Sequence, residues 1–415
     1  MSEIRAPKGT FDVLPVSAPG YATVEAEAAR ILGRAGYQRI ETPIFESTEL
    51  FSRGVGESTD IVAKEMYSFD DGGGRSMTLR PEGTASVSRA YIEHGMHKLQ
   101  QPVRLWYSGP FFRHEAPQAG RFRQFHQIGA EAFGSDRPEL DAEMVILLAE
   151  LLEVLGVQGL QLNLGTLGSI SARTSYREIL IAHLREREGE LSDEVRSRID
   201  ANPLRAFDSS HPGTQEVMAN APLLIDSLDA DDLDHFDTVK ELLSAAGVAF
   251  TIDPKLVRGL DYYGRTVFEF NSDSLGAQSG VGGGGRYDGL IGLLGGPETP
   301  GIGWAAGVER ILLAQGEAAP SSSECDLLVV SIDGQRLDQA FGLAHQARQA
   351  GLEARLEASG RSVKAALKHA DRIGSKAVAL IASDSIELKD LQSGEQTSFE
   401  STGALLDSIA GKMQS

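Results

Sequence analysis

The segment from Arg104 to Gly134 contains side chains that could bind a phosphorylated ligand. Its sequence, RLWYSGPFFRHEAPQAGRFRQFHQIGAEAFG, has four arginines among mostly aromatic or small residues. Because successive side chains of a strand point to opposite faces, its second half separates a polar face from a mostly apolar one. The polar face carries Arg121, Arg123, Gln127 and Glu131. A guanidinium group holds phosphate oxygens in a bidentate way, so this face could bind a polyanion. An exposed face whose arginines and glutamates are solvated, or paired with each other, fits the same pattern.

The segment LRPEGT (79–84) brings an acid and a hydroxyl close together. Pro81 and Glu82 are typical of the first turn of a helix, where the positive end of the helix dipole favours an acidic side chain. The same Glu82, with Thr84, could instead hold an ammonium group. The local pattern by itself favours the helix start.

The segment LVRGLDYY (256–263) supplies an arginine, an aspartate and two tyrosines between predicted strands. A tight turn at Gly259 with the aromatic rings packed inward accounts for this composition without a ligand. Residues 280–285, GVGGGG, formally match the dinucleotide pattern GxGxxG. A run of glycines matches that pattern very easily, and the strand, helix and acid expected around it are missing, so we expect no dinucleotide site there.

Several common catalytic signatures are absent from the sequence. There is no GxxxxGK[ST], HExxH, CxxC or GxSxG, which excludes a Walker-type nucleotide loop and the usual zinc-protease and serine-hydrolase motifs. The nine histidines lack ligand spacing, and the single Cys325 can form neither an internal disulfide nor a zinc cluster. We therefore expect no metal site built from protein side chains, and we expect Cys325 to be a small buried apolar residue.

Composition limits the class of protein. At 415 residues and 41% hydrophobic, the chain is long enough for two or three domains. The net charge of −20 argues against nonspecific nucleic-acid binding, and the six aspartates of residues 226–237 are expected to form a solvated surface. No run reaches the roughly 18 apolar residues of a membrane span, and the N-terminus has no signal or transit character. A cytoplasmic protein without a membrane segment is expected.

Hydrophobic periodicity predicts the elements that would position these residues. Residues 19–36 form an amphipathic helix, and residues 38–47 form a strand in which Pro43 suits a sheet edge or an interface. Two long strands, 104–115 and 121–133, are joined by the turn APQAG. The elements expected after them are a helix from Pro138 to about Leu155, a helical insertion over about 170–247, strands at 248–257 and 265–272, and a strand-to-helix segment at 302–314.

The small polar residues of 314–324 are typical of a linker and predict a domain boundary. Beyond it, apolar strands alternate with helices in the pattern of parallel βαβ units. The strands are expected at 326–332, 352–357 and 376–382, and the helices at about 335–350 and 361–373. Residues 1–320 and 325–415 are thus predicted to be separate domains.

In order and spacing, these segments resemble the histidyl-tRNA synthetases, a family of class II aminoacyl-tRNA synthetases, over nearly the whole chain. The strand with Pro43, FRHE (112–115) with its hairpin, and GIGWAAGVERIL (301–312) are similar to class II motifs 1, 2 and 3. LVRGLDYY and GGRYDGL (284–290) resemble the two peptides that distinguish the histidine enzymes. The resemblance implies an α+β fold, with a six-stranded antiparallel sheet flanked by helices, a helical insertion before motif 3, and a small C-terminal α/β anticodon-binding domain.

The resemblance also implies an ATP site. Arg113 and Arg258 would be the catalytic residues and would contact the α-phosphate, and Arg310 would contact the γ-phosphate. Arg121 would face the phosphates as well, and Glu115 would lie near the adenine. Mg²⁺ would bridge phosphate oxygens, without a ligand set that the sequence identifies.

The amino-acid substrate implied by the resemblance is L-histidine. Glu82, Thr84 and Gln127 would receive its α-ammonium group, while Glu131 and Tyr263 would hydrogen-bond the two imidazole nitrogens. The other residues of this pocket would be Gly83, Tyr262 and Tyr287. A site that pairs both ring nitrogens leaves its own buried groups unsatisfied when an analogue lacks them, so no editing site is needed.

The implied reaction is in-line attack of the histidine carboxylate on the α-phosphorus, followed by transfer of histidine from the adenylate to the 3′ end of tRNA(His), in a homodimer. The alternative is a catalytically silent paralogue that binds histidine within a histidine-biosynthetic phosphoribosyltransferase complex. The intact Arg258 and tyrosines, and the domain after the linker, favour the enzyme. Ala116 stands where the family commonly has an arginine, and the connection at 381–390 is short, so contacts with the tRNA acceptor end and anticodon are not carried over.

Overall fold

In the computed structural model, which describes residues 3–56, 59–276, 279–316 and 325–413, the chain divides into two units, Met1–Glu317 and Ala318–Ser415. The last helix of the first unit ends at Ala314, and most of the linker expected over 314–324 lies outside the described residues. Within the described ranges, no helix is both long enough and apolar enough to cross a lipid bilayer.

The first unit is built from helices and strands in mixed order. Its helices are α1 (Ala18–Arg34), α2 (Thr48–Val55), α3 (Thr84–Glu93), α4 (Pro138–Val154), α5 (Ile170–Glu186), α6 (Asp193–Arg198), α7 (Pro212–Ala219), α8 (Ala230–Ala245), α9 (Leu290–Leu293) and α10 (Val308–Ala314). Its strands are β1 (Gln38–Arg39), β2 (Phe45–Ser47), β3 (Tyr67–Asp70), β4 (Ser76–Leu79), β5 (Val103–Phe112), β6 (Gln124–Phe133), β7 (Leu160–Thr166), β8 (Thr251–Ile252), β9 (Gly264–Ser272), β10 (Gly280–Arg286) and β11 (Gly301–Gly307).

The main sheet has eight strands in the order β1-β5-β6-β11-β10-β9-β7-β8. The six central strands, from β5 to β7, are all antiparallel to their neighbours. The two short edge strands, β1 and β8, are parallel to β5 and β7. The predicted α+β class and the six-stranded antiparallel sheet are confirmed, with a parallel two-residue strand added at each edge.

One face of this sheet packs on α1, α4 and α8. Pro138 lies in the first turn of α4, where a proline is tolerated because its N–H would have no helical partner, and Glu139 adds an acid at the positive end of the dipole. The even-numbered residues Ile128, Ala130 and Ala132 of β6 join the core beneath these helices. The odd-numbered polar residues of β6 point to the other face, as the alternation predicts.

The strand predicted over residues 38–47 is wrong as a single element. Gln38–Arg39 pair with β5 in the main sheet, whereas Phe45–Ser47 pair with β4 in a separate three-stranded sheet of order β2-β4-β3. Pro43 lies between the two strands, because a residue without an N–H cannot donate to either ladder. The first hairpin strand ends at Phe112, earlier than predicted, and the second begins at Gln124, later than predicted. The arginines between them therefore belong to a loop.

The helical insertion is confirmed, since no strand occurs in residues 170–247, all of which the structure describes. The solvated surface predicted for residues 226–237 is wrong in part. Asp232 is only 3% exposed, and its carboxylate accepts a hydrogen bond from the Ser169 N–H at 2.8 Å. Phe236 of the same segment packs in the core with α4. Despite its acidic composition, most of this segment belongs to α8, a helix with one buried side.

The second unit contains β12 (Cys325–Ser331), α11 (Leu337–Gln349), β13 (Ala354–Leu356), α12 (Val363–Arg372), β14 (Ser375–Ile381), β15 (Ile386–Asp390), β16 (Gln396–Ser398) and α13 (Thr402–Met413). Its sheet has the order β13-β12-β14-β15-β16, and β12 is parallel to both β13 and β14, as the βαβ pattern predicts. The antiparallel strands β15 and β16 were not predicted. Cys325 is fully buried, in agreement with the expectation.

Candidate active site

A cavity of about 430 Å³ opens on the face of the main sheet that carries Gln127, and four arginines line it. Arg113 follows β5, Arg121 lies in the loop between β5 and β6, Arg258 precedes β9, and Arg310 belongs to α10. Because β6, β11, β10 and β9 are consecutive neighbours in the sheet, segments that are distant in the chain meet here. Three glutamates also line this cavity, so the four guanidinium groups leave it with a small net positive charge.

The loop between β5 and β6 holds Glu115 between two of these arginines. Nη1 of Arg121 lies 3.4 Å from Glu115 Oε2, and Nη1 of Arg113 lies 3.8 Å from Oε1. Nε of Arg113 donates to the Pro81 carbonyl at 2.9 Å, which fixes the direction of the side chain. The alternative expectation, arginines paired with glutamates, therefore holds in part. The distances are longer than those of a strong charge-assisted hydrogen bond.

Arg258 is paired with Glu269 of β9, with 3.1 Å between Nη1 and Oε2. Its Nε, like Oε1 of Gln127, is buried and has no hydrogen-bond partner among the described residues. A buried donor or acceptor without a partner costs about 1–3 kcal/mol, so both atoms point to a polar ligand. Glu269 and Asn271 on the cavity wall were not predicted. The alternation in RTVFEFNS (265–272) was the available signal.

Arg310 enters the cavity from the first turn of α10. Its Nε donates to the Gly280 carbonyl, and burial together with the nearby charge of Arg121 lowers its pKa. The preceding Glu309 accepts the backbone N–H of His126 with both carboxylate oxygens, at 2.9 and 3.0 Å. This contact, which the sequence did not reveal, ties α10 to β6 and thereby fixes the position of Arg310.

A fully buried carboxyl, that of Glu131 on β6, lies close to the cavity. Its Oε1 accepts the hydroxyl of Thr84 at 2.7 Å and is 3.4 Å from the hydroxyl of Tyr107. Its Oε2 accepts the hydroxyl of Tyr287. Burial raises the pKa of Glu131 to about 8, in spite of these hydrogen bonds, which lower it. Tyr107 of β5 is a member of this cluster that the sequence analysis missed, since its neighbours in the strand are mostly apolar.

Glu82 lies directly before the N-cap residue Gly83 of α3, in agreement with the helix-start interpretation. Its carboxylate accepts the N–H groups of Thr84 and Ala85 at 2.8 and 2.9 Å. The hydroxyl of Tyr262 lies 3.4 Å away, and burial raises the pKa of Glu82. Between the two site residues, Gly83 must be a glycine, because a Cβ there would overlap the ring and hydroxyl of Tyr107. The helix start and the polar cluster are therefore the same structure.

Two tyrosines of the segment before β9 complete the cluster. The rings of Tyr262 and Tyr263 are 4.7 Å apart, and the ring of Tyr287 lies 5.6 Å from that of Tyr262. Burial raises the pKa of Tyr263 to about 12, while Arg258 lowers it and Glu131 raises it further. Tyr263 therefore lies within electrostatic reach of both a cavity arginine and the buried acid.

The cluster also depends on a glycine in the neighbouring strand. Gly303 of β11 is the register partner of Glu131, and a Cβ at this position would overlap Oε2 of the carboxyl. Because Gly303 has no side chain, there is room for the Glu131 carboxyl at this position of β11.

The predicted site residues form two adjoining groups. The cavity wall contains Arg113, Glu115, Arg121, Gln127, Arg258 and Arg310. The buried cluster contains Glu82, Gly83, Thr84, Glu131 and Tyr287. Tyr262 and Tyr263 border this cluster and also line a second cavity of about 520 Å³. Arg123 donates to the Glu115 carbonyl at 3.3 Å and is not on the wall of the cationic cavity. A cationic cavity beside a buried acid and phenols can bind a polyanion and a small molecule with N–H donors next to each other.

Comparison with known proteins identifies close relatives. A family model described as histidyl-tRNA synthetase matches residues 9–311. The histidine–tRNA ligase of Desulfitobacterium hafniense is 46% identical over 402 residues and covers 95% of each chain. That of Saccharopolyspora erythraea is 47% identical over 404 residues, covering 95% of this chain and 96% of the other. Among solved structures, the apo histidyl-tRNA synthetase of S. aureus is 34% identical with a TM-score of 0.83, covering 98% of this chain and 100% of that chain.

Proposed function

The chain belongs to the histidyl-tRNA synthetase family, and from this we propose that it is a histidine–tRNA ligase: it activates L-histidine with ATP and transfers the histidine to tRNA(His). The single observation that carries the assignment to this site is that four arginines line one cavity directly beside a buried carboxyl and phenols. The arginines suit a triphosphate, and the acid and phenols suit an imidazole.

ATP would occupy the cationic cavity. Arg113 and Arg258 would contact the α-phosphate and stabilise the charge that develops as the histidine carboxylate attacks and pyrophosphate leaves. Arg310 would contact the γ-phosphate, Arg121 would face the phosphates, and Glu115 would lie near the adenine. The unpartnered Nε of Arg258 supports this assignment, because a phosphate oxygen would give it an acceptor.

Histidine would bind between this cavity and the buried cluster. Glu131 and Tyr263 would hydrogen-bond the imidazole nitrogens, and Tyr262 and Tyr287 would line the pocket around the ring. The α-ammonium group would be received by Glu82, Thr84 and Gln127 near Gly83. The raised pKa of the two buried carboxyls supports this, because a cationic or N–H-donating ligand would stabilise their charged forms.

Mg²⁺ would accompany ATP and neutralise part of the phosphate charge when bound. Magnesium prefers oxygen ligands from one or two carboxylates together with substrate phosphates. Glu269 fits this role, because its carboxylate lies on the cavity wall 3.1 Å from a guanidinium group of the proposed phosphate site. The Asn271 amide oxygen, which accepts the Ser279 hydroxyl at 3.0 Å, is a second oxygen on the same strand.

The remaining assignments concern partners and location. Residues 1–320 would be the catalytic domain and 325–415 the anticodon-binding domain. A homodimer is supported by exposed apolar side chains around the three-stranded sheet: Ile44, Phe45 and Phe69 are 45, 51 and 45% exposed. Exposed clusters of large apolar residues are typical of protein interfaces. The lone, buried Cys325 is compatible with the reducing cytoplasm, where we place the protein.

ATP–pyrophosphate exchange with and without histidine tests this function. We expect exchange that depends on histidine. Arg258→Ala should lower the exchange rate by about 10²-fold or more, as expected when a group that stabilises transition-state charge is removed. Arg39→Ala, an exposed arginine of β1 that pairs with Glu25 at 2.8 Å, is the control and should retain the rate. Folded protein that binds histidine without catalysing exchange would contradict the proposal and favour a silent histidine-binding regulator.

A further inference from the structure

A buried polar network joins α4 to β10 and α8, away from the cationic cavity. Asp141 and Arg286 form an ion pair in which both side chains are 0% exposed. Nε of Arg286 donates to the two carboxylate oxygens of Asp141 at 3.0 and 3.2 Å, and Nη2 donates to Oδ1. Nε2 of His235, on α8, lies 2.8 Å from the Asp141 Oδ2. A single carboxylate thus connects three elements of the catalytic unit.

The rest of the Arg286 guanidinium is also fully engaged. Nη1 donates to the Ser135 carbonyl at 2.9 Å and to Oδ1 of Asp288 at 3.0 Å, and Nη2 donates to the Arg137 carbonyl at 3.4 Å. Removing two charges from water largely offsets their mutual attraction, so a buried ion pair contributes little net stability. The consequence of this network therefore lies in the geometry that it fixes.

Tyr287 lies between the two anchored residues Arg286 and Asp288. Its backbone N–H donates to the Gly301 carbonyl at 2.8 Å, and Oδ1 of Asp288 accepts the Gly301 N–H at 3.2 Å. The chain is therefore held to α4 on one side of Tyr287 and to the start of β11 on the other. From this position, the Tyr287 hydroxyl donates to Oε2 of Glu131.

We propose that Asp141 and Arg286 are positioning residues for the selection of histidine: their ion pair fixes the backbone around Tyr287, whose hydroxyl holds the Glu131 carboxyl in the orientation that receives the imidazole. Neither residue lines the cationic cavity or the second cavity, so both would act through Tyr287. The inference rests on the proposed function, in which Glu131 recognises the ring. The role predicts that loss of the ion pair changes KM for histidine and leaves KM for ATP largely the same.

Steady-state ATP–pyrophosphate exchange with Asp141→Asn tests this role. The variant keeps the shape of the side chain but loses its charge, and the guanidinium loses its main partner. We expect KM for histidine to rise about tenfold, as when one buried hydrogen bond of a recognising group is displaced. KM for ATP should change less than about twofold. Asp288→Ala, at a side chain that is 32% exposed, loosens the other side of Tyr287 and should give the same split if Asp141→Asn does not fold.

A double-mutant cycle with Tyr287→Phe separates positioning from a general loss of stability. If Asp141 acts through the Tyr287 hydroxyl, then Asp141→Asn should change KM for histidine less than about twofold in the Tyr287→Phe background. Multiplicative effects of the two substitutions would overturn the inference, and so would an equal rise of both KM values. Leu148→Ala, a fully buried core change on the same helix, is the control and should lower the melting temperature without this split.

The outcome also distinguishes this inference from the proposed function. Wild-type protein that shows histidine-dependent exchange, with an unchanged KM for histidine in Asp141→Asn and Asp288→Ala, overturns the positioning role alone. Wild-type protein without any histidine-dependent exchange overturns the proposed function and this role with it.

Discussion

Replacing Glu131 with glutamine tests the acid that is proposed to receive the imidazole. Glu131→Gln keeps the shape of the side chain but removes the carboxylate. A hydrogen bond to a charged partner contributes about 1.5–3 kcal/mol, which corresponds to roughly 10- to 150-fold in affinity. We expect KM for histidine in ATP–pyrophosphate exchange to rise by that factor, while KM for ATP stays within about twofold.

The same substitution should change how the free energy of unfolding depends on pH. Burial raises the pKa of Glu131 from 4.5 to about 8, so in this range the folded protein retains a proton that the unfolded chain has lost. The stability contributed by the protonated carboxyl is full below the unfolded pKa and is lost as the pH rises through the folded pKa. For the ligand-free wild type, this loss is on the order of 2–4 kcal/mol between about pH 5 and pH 9. Glutamine cannot ionise and should lack this loss.

Urea unfolding of both proteins at about pH 5 and pH 9, without histidine, measures this difference. Asp232→Asn provides a matched control, because Asp232 is a buried carboxylate that contacts Ser169 outside the cluster and should leave KM for histidine unchanged. Glu131 is not the group with the raised pKa if Glu131→Gln has the same pH dependence of stability as the wild type. Glu131 does not receive the imidazole if the variant retains the wild-type KM for histidine.

Two further substitutions test the cavity and the packing of the cluster. Arg310→Ala should raise KM for ATP about tenfold without changing KM for histidine, as measured by exchange at varied ATP; an equal effect on both substrates would contradict its phosphate role. Gly303→Ala would place a Cβ against Oε2 of Glu131, so we expect a loss of about 1–3 kcal/mol of stability in urea unfolding together with a higher KM for histidine. Gly33→Ala in α1, where a Cβ would meet open space, is its control and should be neutral or stabilising by about 0.5–1 kcal/mol.

The parts of the fold that follow from local periodicity could be predicted. Alternation along β6 correctly separated Ile128, which packs in the core, from the polar residues of the opposite face. The apolar stripe of α4 predicted its burial and its bounds within one residue. These predictions succeed because each depends only on which side of a single element is covered. The resemblance of the motifs then implied a six-stranded antiparallel sheet, and the structure identifies its strands.

Other features depend on contacts between distant elements and had no local signal. Pro43 separates two strands that pair in different sheets, and only their partners distinguish this from one edge strand. Asp232 reads as one more surface acid, although Ser169 and the start of α5 bury it. Tyr107 belongs to a mostly apolar strand, and its hydroxyl meets Glu131 only because β5 and β6 are paired.

Carboxylates face the cavity arginines in the ligand-free protein, and a phosphate ligand would replace them as partners. The net charge of the protein is −20, and carboxylates already face the cavity arginines. Glu115 lies 3.4 Å from Arg121, and Glu269 lies 3.1 Å from Arg258. Phosphate oxygens form shorter, bidentate bonds with guanidinium groups, at about 2.7–2.9 Å, so a triphosphate would displace these carboxylates as partners. Because Arg113, Arg121 and Arg258 each face a carboxylate, the protein avoids leaving these three charges unpaired in the absence of ligand, and a displaced Glu269 would be available to hold a magnesium ion together with the nucleotide.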